Sequence, residues 1–153
     1  MNWEVFTKLS ILPVQAHWLT ATVAFFLGVL ILARKKGTSS HRFWGRIYVA
    51  VMIMTSVSAF FIREGGNKSS GSLTDGFSYI HLFIPFTLTL LLLAILAIKK
   101  GNVRGHMFCM GLTFIGGLVI AGAFTFLPDR NMHLFFFGEA DAIQQEIERR
   151  QTK

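Results

Sequence analysis

The sequence has little of what a soluble or a disulfide-stabilised domain requires. It holds one cysteine, Cys109, which excludes an internal disulfide and a Cys-x-x-Cys redox motif. Charge is also scarce, with 15 Lys and Arg and 8 Asp and Glu among 153 residues. The apolar runs contain no paired carboxylates, and the chain has no glycine-rich phosphate loop and no nucleophile elbow, so the common catalytic signatures are missing.

What the sequence has instead is hydrophobicity, with 52% hydrophobic residues and a mean hydropathy of +0.52. A 20-residue helix spans the roughly 30 Å hydrocarbon core of a bilayer at about 1.5 Å per residue. We therefore predict an all-α integral membrane protein with four transmembrane helices that form a four-helix bundle. The four apolar runs, with Arg46 as their only charge, are Leu12–Ala33, Trp44–Ile62, Phe77–Ile98 and Met107–Leu127.

Positive charge is concentrated in two short segments, ARKKGTSSHRFWGR at 33–46 and AIKKGNVRGHMFCMG at 97–111. Together they carry eight cations and no acid, whereas the rest of the chain carries seven cations and eight acids. A net charge of +7 confined to turns between membrane helices does not indicate nucleic-acid binding, and the positive-inside rule places such turns in the cytoplasm. We predict a multi-pass protein of the bacterial inner membrane, with loops 34–43 and 99–105 cytoplasmic and both termini external.

The two halves of the chain resemble each other. A shift of 64 residues aligns His17 with His81, and a shift of 65 aligns His41 with His106, because the second Lys-Lys-Gly turn has one extra residue. Each half reads as histidine, apolar run, Lys-Lys-Gly turn, histidine, apolar run, which predicts two repeated helical hairpins. Two spans per hairpin give both halves the same orientation in the membrane.

The predicted domain organisation follows from this repeat. A single four-helix membrane domain covers residues 1–138, with the repeats at 12–62 and 77–127. A polar tail covers residues 139–153.

Glycines are expected to act in turns and in packing. Gly37 and Gly101 follow lysines where a helix must end in a left-handed conformation, which costs glycine least. Gly28, Gly116 and Gly117 lie among other small residues, which permit close helix packing in lipid and would also leave room for a flat cofactor.

Four histidines are candidate ligands of a metal or of haem iron. His17 and His81 lie four or five residues inside the outer ends of their helices, whereas His41 and His106 lie at inner ends. Ionisable residues inside spans are rare and usually face the bundle interior, and neutral imidazole is a common metal and haem ligand. The deeper outer pair is the stronger candidate, since the inner pair could equally contact phospholipid headgroups.

This layout favours a small b-type cytochrome or haem-handling protein that transfers electrons in the membrane through bis-histidine haem. A bare Zn²⁺ or Cu²⁺ site needs three or four ligands, whereas two imidazoles suffice for a haem. Propionates would meet Arg42, Arg46 and Arg104 on the inner side, and Arg63 and Arg130 on the outer side.

Two alternatives stay open. One is a cofactor-free membrane module that binds a small ligand or a partner subunit. The other is a copper- or zinc-binding assembly factor, for which the stretch HMFCM offers imidazole, thioether and thiol ligands. The expected partners are the lipid bilayer and either a redox partner or a second copy of the chain, with no nucleic acid.

The chain resembles the bacterial membrane-protein family catalogued as domain of unknown function 2306. The resemblance runs from His17 to Gly138 and is carried by KKGTSSHRFWGRIYV, KGNVRGHMFCMGLTFIGGLVIAGAFTFLPDR and HLFFFG. Members usually have glycine where this chain has Asp129, and arginine where it has Met107. The resemblance implies the four-helix fold and a role for the histidines, and it implies no particular activity. The histidine layout is also loosely similar to that of two-haem membrane cytochromes of the b-561 kind.

Overall fold

The computed structural model describes residues 12–62, 72–74, 77–126 and 131–138, together with residues 145 and 148. The predicted propionate partners Arg63 and Arg130 lie outside the described residues, and so does most of the predicted tail.

The described residues are predominantly helical, which confirms the prediction of a helical membrane protein. In chain order the elements are α1 (Leu12–Ala33), α2 (Ser39–Phe60), β1 (Ser72–Thr74), β2 (Phe77–Ser78), a 3-10 turn (Tyr79–Leu82), α3 (Phe83–Lys99), α4 (Val103–Phe114), a π-helical segment (Ile115–Ile120), α5 (Ala121–Phe124) and α6 (Asn131–Phe137).

Among the described residues, three helices are long and apolar enough to cross a membrane. They are α1, α2 and the continuous helix Val103–Phe124, which is made of α4, the π segment and α5; each has 22 residues. Helix α3 is also apolar, but it has 17 residues.

Helix α3 begins at Phe83, although its apolar run begins at Phe77. The residues in between pair with β1 as a short antiparallel strand and then form the 3-10 turn. Pro85 accounts for the later start. Near the beginning of α3 its missing N–H costs no helical hydrogen bond, whereas in a helix that began at Phe77 its ring would clash with the carbonyl of His81.

Each Lys-Lys-Gly turn ends one helix and starts the next within a few residues. Gly37 and Gly101 have φ angles of 81° and 75°, which confirms their predicted left-handed conformation. The residue after each glycine caps the following helix. The Thr38 hydroxyl accepts from the His41 N–H at 3.1 Å, and the Asn102 side chain accepts from the Gly105 N–H at 2.9 Å.

The helices pack as two hairpins placed side by side. Helix α1 packs along α2 and α3 packs along α4, while α2 also contacts α3 and the π segment contacts both α1 and α3. The shared core lies where these four stretches meet. Its buried members are Ala24, Ile31, Tyr48, Met52, Leu91 and Leu118.

Two glycines permit close approach of large rings from neighbouring helices. A Cβ atom at Gly28 would lie 2.5 Å from the ring of Phe114, and one at Gly116 would lie 2.6 Å from the ring of Phe86. The space beside these glycines is therefore filled by phenylalanine rings, and packing accounts for them.

Candidate functional site

His17 connects α1 to the C-terminal part of α2. Its ring Nδ1 lies 2.9 Å from the carbonyl oxygen of Thr55 and 3.3 Å from the hydroxyl of Ser58. The Ser58 hydroxyl donates to the same carbonyl at 2.9 Å. Because a carbonyl only accepts, the neutral His17 ring carries its proton on Nδ1 and its lone pair on Nε2.

His81 makes its hydrogen bond through the other ring nitrogen. Its Nε2 lies 2.8 Å from the carbonyl oxygen of Ile62, just beyond the end of α2. Since that carbonyl also accepts, the proton is on Nε2 and the lone pair is on Nδ1.

The two outer histidines are held by different carbonyls in this structure. Both lie against α2, where the carbonyls of Thr55 and Ile62 hold them. Those carbonyls are seven residues apart, which is about 10 Å along a helix. His17 therefore bonds within α2 and His81 bonds beyond its end, although the predicted repeat would give them matching partners.

The inner histidines also differ from each other in the hydrogen bonds that their rings make. The Nδ1 of His106 donates to the carbonyl oxygen of Ala94 on α3 at 3.1 Å, which leaves the lone pair on Nε2. The repeat equivalent of Ala94 is Leu30, and His41 makes no such bond to it. Instead, the His41 Nδ1 is buried and has no hydrogen-bond partner within the protein.

The extra residue in the second turn explains this difference. His41 is the third residue after its cap, Thr38, whereas His106 is the fourth after Asn102. One residue turns a helix by about 100°. The two rings therefore leave their helices in different directions, and only His106 reaches the carbonyl of the preceding helix.

Both inner histidines lie at the end of the bundle that carries the turns. His41 lies within electrostatic range of both His106 and Lys36. Helices α2 and α4 begin at this end, so their positive dipole ends add to the charge of the turns.

The three arginines predicted to bind propionates are all exposed at this same end. Arg42 donates to the carbonyl oxygen of Gly37 at 3.2 Å, which ties it to the first turn. Arg46 lies one helical turn further along α2, and Arg104 lies in the first turn of α4. The three arginines therefore lie on the same helix starts as the inner histidines.

A family model described as "predicted membrane protein (DUF2306)" matches residues 14–144, which is most of the chain. The chain belongs to this family. The DUF2306 assignment confirms the resemblance seen in the turns and the last helix, and it makes the chain a membrane protein. No match is found among curated proteins or among solved structures. The looser similarity to two-haem cytochromes is therefore not shown.

Within the described part of this DUF2306 chain, no three His, Cys, Asp or Glu side chains come together as a metal site. Cys109 is a half-buried free thiol one turn beyond His106. The four predicted ligands are thus distributed as an inner pair that interacts electrostatically and two outer residues held by separate carbonyls.

Sequence reasoning missed Tyr48, whose phenol is buried in the core without a hydrogen-bond partner within the protein. Its position was available from the helical period, because Tyr48 follows His41 by seven residues and so lies on nearly the same face of α2. It was missed because a tyrosine in an apolar run is ordinarily interpreted as a residue of the hydrophobic core.

Proposed function

We propose that the protein is a small membrane cytochrome of the b type, in which His41 and His106 hold a haem at the end of the bundle that carries the two Lys-Lys-Gly turns. In this proposal the chain crosses the bacterial inner membrane four times, with α3 as the shortest crossing. The turns face the cytoplasm and both termini face outward. Bound haem would supply one-electron transfer, and the chain would bind the group and orient it.

The observation that supports the inner site most strongly is the pairing of its histidines. They are the repeat-equivalent pair that lies within electrostatic range. The Ala94 carbonyl fixes the His106 proton on Nδ1 and leaves Nε2 as the ligating nitrogen. This is the usual arrangement for an imidazole ligand, whose other ring nitrogen donates to a carbonyl or a water. His41 and His106 are therefore the residues that would hold a haem in this proposal.

The surrounding charge supports an anionic group at the same place. Arg42, Arg46 and Arg104 are exposed around the inner histidines, and arginine suits carboxylate recognition through paired N–H donors. In the proposal these arginines bind the haem propionates and fix the orientation of the ring.

A haem has more support than a bare metal ion. Structural and catalytic zinc or copper sites generally use three or four protein ligands, and the described residues offer no cluster of three His, Cys, Asp or Glu side chains. Copper(I) bound with help from Cys109 and Met110 is the remaining metal alternative, because both follow His106 on one face of α4.

The outer histidines are assigned a holding role in this proposal. His17 and His81 each donate to a carbonyl of α2 or of the residue just after it, so they fix α1 and the start of α3 against that helix. This reverses the preference for the outer pair that depth alone suggested.

A second candidate function is a cofactor-free membrane module that binds a small ligand or a partner subunit. It is favoured by one observation: His17, His81 and His106 all donate to backbone carbonyls, a use of histidine that requires no ligand.

Absorption spectra of detergent-purified protein, oxidised and then reduced with dithionite, separate these functions. A Soret band with sharp reduced α and β bands is expected, and haem per chain is then measured as the pyridine haemochrome. We expect His41→Ala and His106→Ala each to lose most of the haem, while His17→Ala and His81→Ala retain it. His133→Ala, in α6, is the matched control and should also retain it.

Other results would change the assignment. Unchanged haem in both His41→Ala and His106→Ala would exclude the inner site, and loss in both His17→Ala and His81→Ala would restore the outer one. A colourless protein from haem-replete cells would exclude the cytochrome. Bound copper in that protein would support the metal alternative, and no metal at all would support the cofactor-free module.

A further inference from the structure

The two Lys-Lys-Gly turns have equivalent sequences but use their lysines differently. In the first turn, Lys36 donates through Nζ to the carbonyl oxygen of Leu32, in the last turn of α1. A lysine that bonds to the last carbonyls of a helix in this way stabilises the helix end. In the repeat alignment the counterpart of Lys36 is Lys100, and the counterpart of Leu32 is Leu96.

The second turn satisfies the end of its helix with backbone donors. The carbonyl oxygen of Leu96 accepts the backbone N–H of Lys100 at 3.1 Å. The carbonyl oxygen of Ala97 accepts the backbone N–H of Asn102 at 2.9 Å. These last carbonyls of α3 therefore need no lysine ammonium group, and the side chains of Lys99 and Lys100 have no role in ending the helix.

The positive charges of the second turn are unpaired within the described part of the chain. The side chains of Lys99 and Lys100 are exposed, and neither ammonium group has a hydrogen-bond or ion-pair partner among the described residues. Arg104 adds a third exposed positive charge in the first turn of α4. The segment 97–111 contains no acid that would neutralise these charges. The turn therefore presents net positive charge where a membrane helix ends, which attracts anionic groups.

Apolar side chains are exposed on the same two helices, next to these charges. On α3, Leu92 and Leu96 precede Lys99 by seven and three residues and so lie on its side of the helix. Both leucines are exposed. On α4, Phe108 is exposed and lies one turn beyond Arg104. A partner at this turn would thus meet cations at one end and apolar side chains about one helical turn away.

This combination of charge and apolar surface suits an anionic phospholipid better than a soluble anion. A phospholipid carries its phosphate at the membrane surface, and its acyl chains lie directly below in the hydrocarbon region. Lysine reaches such a phosphate because its apolar stem lies along the helix while the ammonium group stays at the surface. A soluble anion would use the cations and make no use of the exposed leucines and phenylalanine.

We propose that the second Lys-Lys-Gly turn binds an anionic phospholipid. Lys99 and Lys100 bind the headgroup phosphate, and the exposed apolar side chains of α3 and α4 contact the acyl chains. The first turn offers one lysine fewer, because Lys36 already donates to its own helix. The site uses neither inner histidine and does not depend on haem. Arg104, which the proposed function assigns to a propionate, adds to the local charge and is not required as a ligand of the lipid.

Native mass spectrometry of the full chain in mild detergent tests the site, with phosphatidylglycerol as the anionic probe and phosphatidylcholine of the same acyl chains as the zwitterionic one. The wild type is expected to bind phosphatidylglycerol about tenfold more tightly, since each lysine near a membrane surface contributes about fivefold to binding an anionic lipid. Lys100→Gln should weaken this binding about fivefold, and Lys99→Gln combined with Lys100→Gln about 25-fold. Lys36→Gln is the matched control, because it removes the same charge from the equivalent position, and it should leave the affinity nearly unchanged.

Each outcome decides the proposal. Equal affinity of the wild type for the two lipids overturns it, and this comparison needs no variant to fold. An equal loss in Lys36→Gln and Lys100→Gln also overturns it, because the second turn would then have no special role. Glycerol phosphate is the soluble probe: if it displaces the bound lipid at equal concentration, the site binds a free anion and the lipid assignment is wrong. A colourless protein that still prefers phosphatidylglycerol would exclude the cytochrome and support the lipid site.

Discussion

The close contact at Gly28 allows a quantitative prediction. A methyl group at this position would meet two ring carbons of Phe114 at 2.5 and 2.6 Å and the ring of Tyr48 at 3.2 Å. Phe114 cannot retreat freely, because it is stacked on Phe25 with ring centroids 5.7 Å apart and planes 23° apart. Gly28→Ala must therefore displace at least one of three rings that hold α1 against α2 and α4.

Two opposing free-energy contributions determine how much Gly28→Ala changes the stability of the protein. Overpacking of a filled core costs about 1–3 kcal/mol, while alanine in a helix interior gains about 1 kcal/mol over glycine. The expected net loss for Gly28→Ala is about 0–2 kcal/mol of unfolding free energy, and Gly28→Val should lose about 3 kcal/mol because its branched side chain adds two more clashes.

The assay is reversible unfolding in mixed detergent micelles, followed by circular dichroism. Gly45→Ala is the matched control, since nothing lies within 4 Å of a Cβ atom there, and it should be neutral or stabilising by up to about 1 kcal/mol. Phe114→Leu should recover part of the loss in Gly28→Ala. Equal stability of Gly28→Val and Gly45→Ala would refute the reasoning, as would purely additive effects of Gly28→Ala and Phe114→Leu.

Three further predictions follow from the histidines and the turns. His17→Ala should lower the unfolding free energy by about 0.5–1.5 kcal/mol, because the Thr55 carbonyl loses one of its donors and keeps the Ser58 hydroxyl; an unchanged melting temperature would contradict this. Gly37→Ala should cost about 1–2 kcal/mol in the same assay because of its φ of 81°, whereas a cost no larger than that of Gly45→Ala would argue against the left-handed turn. Reporter fusions after Lys36 and after Ser70 should behave oppositely, and a cytoplasm-active reporter that works only after Ser70 would invert the proposed topology.

The features predicted well are those set by nearby residues in the chain. Helix α1 has the bounds of its apolar run, because nothing within Leu12–Ala33 interrupts it. The left-handed glycines of both turns were predictable for the same reason, since the need for a helix stop is local. The start of α3 was not, because hydropathy continues through the 3-10 turn while Pro85 fixes the helix boundary.

The histidine contacts could not be predicted from the sequence. The depth of His17 was evident, but its acceptor on α2 depends on how two helices pack against each other. Repeat symmetry suggested that equivalent histidines face each other. One inserted residue gives the two inner histidines different hydrogen bonds, and at the outer end His17 and His81 bond to different carbonyls.

The π segment Ile115–Ile120 suggests how one copy of a repeated hairpin can gain a residue and still pack like the other copy. A π turn holds one more residue than an α turn, so it can absorb a one-residue insertion within the helix. The second helix of the later hairpin is one residue longer from its cap, Asn102, to Phe126 than its counterpart from Thr38 to Phe61. A π turn of this kind would let the outer half of that helix keep the angular position of its counterpart, although its inner start is displaced by one residue. Lengthening one turn could thus give one copy's histidine new surroundings without dismantling the packing at the opposite end.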